Sequence, residues 1–369
     1  MEIEIPRVSR RSLVGGVVAT AVGLGVSAFP GAASAAPGKA GLPARVVGGY
    51  WTYWGNPIRV KDIPAGYNTV FLFHATPSGG APGSTGALEW RTPSNGRGAG
   101  TNLKADISKL RESRFVILTA GGSREHVDLS TRARSQAFLD SVRRIYDRLG
   151  GFDGLDWNTY EGRQIPNTSE MIWVSQQLRT IYGSKFAITT PPAPWREIDL
   201  THCRRMVQEG VLDLVSPQFY DSPYAADARS IVEAVERWAN GIGDITKLGL
   251  GFGLNPGAYN YSTISTITQA WAASLQGFAG LRGAYNWDIA TDERLGWAFA
   301  RTCAPVIMAP RVADVSVEVP GPRVVHVVAA GDTYGSIARQ YGIVDWQTIF
   351  ELNRIEPEAL HVGMRILIP

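Results

Sequence analysis

Between Val46 and Val306 the chain alternates eight times between a short apolar run and a longer stretch, and this alternation leaves few folds open. The first four strand-like runs are Val46 to Trp51, Thr69 to His74, Phe115 to Ala120 and Gly151 to Trp157. The second four are Phe186 to Thr190, Leu212 to Tyr220, Leu248 to Leu254 and Leu281 to Trp287. They carry few charges, as parallel strands covered on both faces must. The intervening stretches show helical spacing. Phe138, Val142, Ile145 and Leu149 share one face; Met171, Val174, Leu178 and Ile181 share another, ended by Gly183. Ile231, Val235 and Trp238 mark a third helix, and Ile264, Ile267, Trp271 and Leu275 a fourth. Strands alternating with helices predict an α/β fold with a parallel sheet. No glycine-rich phosphate turn follows the first run, so a closed (β/α)8 TIM barrel over 46–306 is preferred to an open sheet. Such a barrel takes roughly 250 residues, and a chain of 369 leaves room for an appendage. The Gly, Pro and Ser-rich run from Ser78 to Gly100 reads as a long loop over the barrel mouth.

The ends of the chain carry different signals. Arg7, Arg10 and Arg11 precede an apolar, small-residue run from Leu13 to Phe29, and Ala33-Ser34-Ala35 offers a cleavage site. Residues 1–35 thus predict an export signal, and Ser9-Arg10-Arg11-Ser12-Leu13 resembles the twin-arginine motif. No other segment is apolar enough to cross a membrane, so no transmembrane anchor is expected after cleavage. A secreted or cell-wall-associated protein follows. Residues 309–323, with Pro310, Pro320 and Pro322, read as a linker. A formal charge of +3 gives no reason to expect nucleic acid as a partner. Cys203 and Cys303 read as two buried free thiols, no metal-ligand spacing is present, and no cofactor is implied.

Active sites of such barrels lie where the strands' C-terminal ends meet the loops. Those ends are rich in aromatic and polar residues: Tyr50 to Trp54, Gly121-Gly122-Ser123, Gln218-Phe219-Tyr220-Asp221 and Tyr285-Asn286-Trp287-Asp288. Indole and phenol rings cover the apolar face of a sugar while their polar edges stay wet. The fourth run continues as Asp153-Gly154-Leu155-Asp156-Trp157-Asn158-Thr159-Tyr160-Glu161. If it stays extended, Asp156, Asn158 and Tyr160 share one face.

These residues resemble glycoside hydrolase family 18, the chitinases and endo-N-acetylglucosaminidases, whose fourth strand reads D-G-x-D-x-D-x-E. Asp153, Gly154 and Asp156 match, but Asn158 stands where the last Asp belongs and Tyr160 where the Glu belongs. The paired glycines match Gly121 and Gly122, and the sixth-strand signature matches Gln218, Tyr220 and Asp221. The sugar-floor tryptophan matches Trp287, and the aromatic after the first strand's glycine matches Tyr50. The resemblance implies a reaction in which the substrate's own acetamido oxygen attacks the anomeric carbon. A carboxylic acid protonates the leaving oxygen, and a neighbouring carboxylate holds the acetamido N–H. Two readings of the broken motif stand side by side. A bulge re-aims Glu161 into the pocket as a displaced acid, with Asp156 in support; or the site is silent and the barrel is a lectin-like glycan binder. His74, at the end of the second run, reads as a hydrogen-bonded pocket histidine in preference to a general base.

Residues 324–369 run strand, helix, helix, strand and resemble a LysM module, through Val324 to Val328, Gly331-Asp332-Thr333-Tyr334, Ser336-Ile337-Ala338, Leu352-Asn353 and Val362 to Pro369. Gly331, Asp332, Thr333 and Tyr334 are the implied glycan contacts. The implied partner is a polymer of β-1,4-linked N-acetylglucosamine, either chitin or the glycan of peptidoglycan.

Overall fold

A computed structural model describes residues 41–55, 57–160, 164–221, 227–257, 260–309, 324–343, 346–353, 357 and 360–368. The expected export signal, most of the expected linker, and Glu161 lie outside the described residues.

Eight parallel strands build the barrel. They are β1 (Val46–Thr52), β2 (Thr69–Pro77), β4 (Phe115–Gly121), β5 (Gly154–Asn158), β6 (Ala187–Thr190), β7 (Leu214–Val215), β8 (Gly249–Gly253) and β9 (Gly283–Trp287). They are hydrogen-bonded in the order β7-β6-β5-β4-β2-β1-β9-β8. Parallel bridges from Val215 to Leu248 and from Gln218 to Gly251 join the two ends. The seventh expected run, Leu212 to Tyr220, is regular only at Leu214–Val215. Pro217, with no N–H to give, interrupts it. A short strand, β3 (Leu88–Trp90), pairs antiparallel with Ala75 to Pro77 of β2. The expected long loop from Ser78 to Gly100 is therefore a hairpin excursion followed by a shorter loop.

Helices cover the barrel. They are α1 (Leu103–Arg111), α2 (Arg132–Leu149), α3 (Thr168–Tyr182), α4 (Glu197–Gln208), α5 (Ala228–Ile242), α6 (Ile264–Gly277), α7 (Ile289–Arg294) and α8 (Ala304–Met308). Asn102, Thr131, Asn167, Asp227, Thr263 and Asp288 cap six of them, each side chain accepting a backbone N–H of the first turn. Each such cap is worth about 1 kcal/mol. Two apolar layers result. One fills the barrel with Val46, Tyr50, Phe71, Phe73, Ile117, Leu214, Tyr220 and Tyr285. The other lies between strands and helices and includes Trp157, Trp238, Trp271 and Phe138. A Cβ at Gly253 would lie 2.7 Å from the Tyr220 Cβ, so this glycine makes room for an inward ring.

Asp153, the first acid of the motif, is a structural staple at the foot of β5. Its carboxylate accepts from the guanidinium of Arg111 at 2.9 Å and from the backbone N–H of Val116 at 2.9 Å, tying β5 to α1 and β4. Cys203 and Cys303 are buried and unpaired.

The C-terminal module comprises β10 (Val324–Val327), α9 (Tyr334–Gln340), α10 (Gln347–Asn353) and β11 (Arg365–Ile368). β10 and β11 pair antiparallel, with Val324 opposite Ile368. Val328, Tyr334, Ile337, Ala338, Ile349, Ile366 and Ile368 form its core. No helix among the described residues is long and apolar enough to cross a membrane.

Candidate functional site

The C-terminal ends of the strands surround a pocket of about 470 Å³. That is within the range of small-molecule sites. Tyr50, Gln218, Tyr220, Asp221 and Trp287 all line it, as the strand-end reading expected, and Asn158 does too. Tyr50 and Trp287 lie 5.4 Å apart between ring centroids, and Phe73 stands edge-on to Trp287 at 4.6 Å. Tyr220 runs nearly parallel to Trp287, with centroids 6.4 Å apart. Gln218 is held by donating to the Pro191 carbonyl at 2.6 Å. The peptides Phe73–His74 and Trp287–Asp288 are cis.

Asp156 lies beneath this floor, 1% exposed, and does not line the pocket. Three hydroxyls donate to its carboxylate: Tyr50 at 2.9 Å, Thr119 at 3.1 Å and Thr189 at 2.6 Å. A buried carboxylate needs such donors. In return, burial and the nearby carboxylate push the Tyr50 phenol well above its ordinary range. The phenol therefore stays protonated and keeps donating. Asp156 positions Tyr50.

Asn158 is the last residue of β5 and faces the pocket. Beyond it the pleat stops, and the structure departs from the alternating pattern. Tyr160 does not share the inner face with Asp156 and Asn158. Its ring turns out into the layer between strands and helices, 4% exposed. Its hydroxyl pairs with that of Thr190, and the ring stands edge-on to His202 of α4 at 5.0 Å. Burial, then Cys203 and Asp199, drive the Tyr160 phenol well above its usual range. Tyr160 lines a separate cavity of about 610 Å³, with Thr159, Gln164, Thr168 and Arg205. A long-range clamp holds this turn. Arg196, just ahead of α4, donates to the Tyr160 carbonyl at 2.8 Å and to the Gln164 carbonyl at 2.5 Å. These are the described residues on either side of 161–163. Glu161, the expected displaced acid, lies outside the described residues.

The pocket also contains residues that the motif reading did not select. Phe73, Trp54, Ser123, Glu125 and Trp195 line it. Glu125 sits three residues beyond Gly122, and its N–H donates to the Gly122 carbonyl at 2.9 Å. Gly121 has φ +80, and a Cβ there would meet the Asn158 carbonyl oxygen at 2.5 Å and that of Glu125 at 2.9 Å. The glycine therefore lets the Glu125 turn pack against the end of β5. Trp195 follows the proline-rich run after β6, and that run was the available signal for it.

His74 corrects its sequence reading. It lines the pocket at 7% exposure, yet neither ring nitrogen has a hydrogen-bond partner among the described residues. Burial, and secondarily Arg91, lowers it from 6.5 to about 4, so the imidazole is neutral near pH 7. The charged lining residues are then Glu125 and Asp221 alone among those described. No group of three His, Cys, Asp or Glu side chains among the described residues could hold a metal ion.

In the C-terminal module, Asp332 pairs with His326 at 2.7 Å and accepts from the Ala329 N–H at 2.7 Å. Thr333 and Ser336 form a reciprocal cap on α9. Gly331 opens the turn with φ +87. Tyr334 is a core residue, 3% exposed. Its ring runs nearly parallel to Trp346 at 6.1 Å, and Trp346 is the exposed aromatic of that cluster.

Residues 326–369 match the LysM domain. Chitinase Chi52 of Paenibacillus xylanexedens is 26% identical over 203 residues, covering 50% of this chain and 36% of that protein. The chain thus spans about a third of the length of this curated relative. Among solved structures, Chitinase A from Streptomyces coelicolor has a TM-score of 0.64 at 22% identity, over 72% of this chain and 99% of that one. A family GH18 chitinase from Chromobacterium violaceum has a TM-score of 0.62 at 21% identity, over 78% of this chain and 91% of that one. These structural neighbours are chitinases, one of them of family GH18, and the likeness to them is one of fold. The chain combines a chitinase-like barrel with a C-terminal LysM domain.

Proposed function

We propose that this protein is an exported hydrolase of β-1,4-linked N-acetylglucosamine polymers, held on the polymer by its LysM module. The observation that carries the reading is the turn after Asn158. Tyr160 leaves the pocket while Asn158 stays in it, so no phenol stands where the proton donor belongs. Trp287 supplies an apolar floor, and the carboxylate-braced Tyr50 supplies a fixed wall. Asn158 would accept the acetamido N–H and align its oxygen with the anomeric carbon. Glu161, one residue beyond the outward Tyr160, would protonate the leaving oxygen. The related chitinase and the LysM match support the same substrate class for both parts. The expected export signal supports a location outside the cytoplasm or in the cell wall.

A catalytically silent glycan binder is the second reading. One observation favours it: Asn158 brings no negative charge to oppose a positive charge developing on the sugar.

Incubation with chitooligosaccharides separates the two. Glu161→Gln should lower turnover by about a hundredfold to ten-thousandfold, the usual contribution of a general acid. Asn158→Asp should raise it on the order of tenfold or more by restoring the charge. Absence of turnover in both the parent chain and Asn158→Asp would establish the silent reading.

A further inference from the structure

We infer that His74 and Trp54 form a second sugar subsite beside the Trp287 floor, in which the imidazole hydrogen-bonds an uncharged, acetylated amino sugar. The inference rests on the reading of the pocket as a glycan site. It goes further by assigning residues outside the motif and by choosing between the two polymers.

The geometry provides two adjoining platforms. Phe73 lies between two indoles, with its centroid 4.6 Å from Trp287 and 5.7 Å from Trp54. Trp54 is 40% exposed, a large apolar surface left open beside the pocket. It stands edge-on to His74 at 5.6 Å and 81°. An open indole next to a buried polar group suits a sugar ring, which has an apolar face and a polar rim.

His74 supplies the polar part. Its two ring nitrogens are buried in the pocket wall with no partner among the described residues. Buried polar atoms are normally satisfied, so an unsatisfied pair on a pocket wall is open to a ligand that completes it. Neutral imidazole has one donor and one acceptor. A sugar hydroxyl, or an acetamido group, can answer either one.

Charge then selects the ligand class. The imidazole is neutral near pH 7. Arg91, the cation nearest in influence, is more than half exposed and turned to Glu89. The charged groups on the pocket wall among the described residues are the carboxylates Glu125 and Asp221. A sugar bearing its own carboxylate, such as the lactyl-ether sugar of peptidoglycan, would meet repulsion from these two groups, with no cation among the described lining residues in compensation. N-acetylglucosamine meets none.

The test is titration of the full chain with the N-acetylglucosamine tetramer, carried out in a Glu161→Gln background so that the ligand is not consumed, comparing that parent with its His74→Leu, His74→Gln, Trp54→Ala and Trp287→Ala derivatives. The LysM module offers a second, unaltered site, so each titration is fitted to two sites and the site that changes between variants is assigned to the barrel. His74→Leu should weaken binding by about tenfold to a hundredfold, as loss of a ligand hydrogen bond does. His74→Gln, which keeps a donor and an acceptor, should retain most of the affinity. Trp54 is at the surface, so Trp54→Ala keeps the test valid if His74→Leu fails to fold, and it too should weaken binding. Parent-like affinity in Trp54→Ala and His74→Leu, with weakened binding in Trp287→Ala, overturns the subsite and leaves the glycan pocket standing. Parent-like affinity in Trp287→Ala as well removes the glycan pocket itself. Binding of the peptidoglycan disaccharide as tight as that of a chitin disaccharide would overturn the choice of an uncharged ligand.

Discussion

At the scale of single residues, the site depends on which way three alternate residues, Asp156, Asn158 and Tyr160, point. Asp156 and Asn158 point inward, and Tyr160 does not. This placement predicts that Tyr160→Glu, which would complete the motif on paper, buries a carboxylate among Thr190, His202 and Cys203 instead. Urea unfolding should show a loss of about 3 kcal/mol or more, with no gain in turnover. Tyr160→Phe, which keeps the ring and forfeits the hydroxyl's bonds to Thr190 and Cys203, should lose about 1 kcal/mol. A stable, more active Tyr160→Glu would mean that the side chain faces the pocket. The outward turn was not legible in the sequence, because alternation applies only while a strand lasts. The turn after β5 is held by Arg196, 36 residues from Tyr160, and no local pattern announces that bond. His74 was legible as a pocket residue from its place at a strand end. Its lack of partners depends on packing by Tyr53, Trp54 and Phe73, and so was not.

At the scale of elements, the strands were legible because parallel strands buried on both faces appear as short apolar runs. All eight barrel strands fall within or beside the expected runs. β3 was missed, since three residues with an exposed Glu89 at the centre give no period to read. Two buried histidines, one on a helix and one on a strand, also carry a pH dependence. His202 on α4 is held neutral by burial, lowered from 6.5 to about 3, and His74 within β2 is lowered to about 4. The unfolded chain takes up these protons at higher pH than the folded one. Stability should therefore be full above about pH 6.5 and fall as pH drops towards 3, by at most about 1.4 kcal/mol per pH unit for each imidazole. Urea midpoints across this range would measure it, and His202→Gln should flatten the slope. An unchanged slope in that variant would assign the loss to other groups.

At the scale of the whole molecule, a glycan-acting barrel and a LysM module on one chain imply avidity: attachment through one raises the effective concentration of the other on the polymer. The central claim is that the barrel cleaves its polymer with the substrate's acetamido group as nucleophile. Attack by that group and then by water inverts the anomeric carbon twice, so configuration is retained. Proton NMR of a chitooligosaccharide digest, recorded before mutarotation equilibrates the new reducing ends, tests this most directly. An initial excess of the β-anomer, relaxing to the equilibrium mixture, is the predicted result. An initial excess of the α-anomer, or no new reducing end at all, would contradict the account.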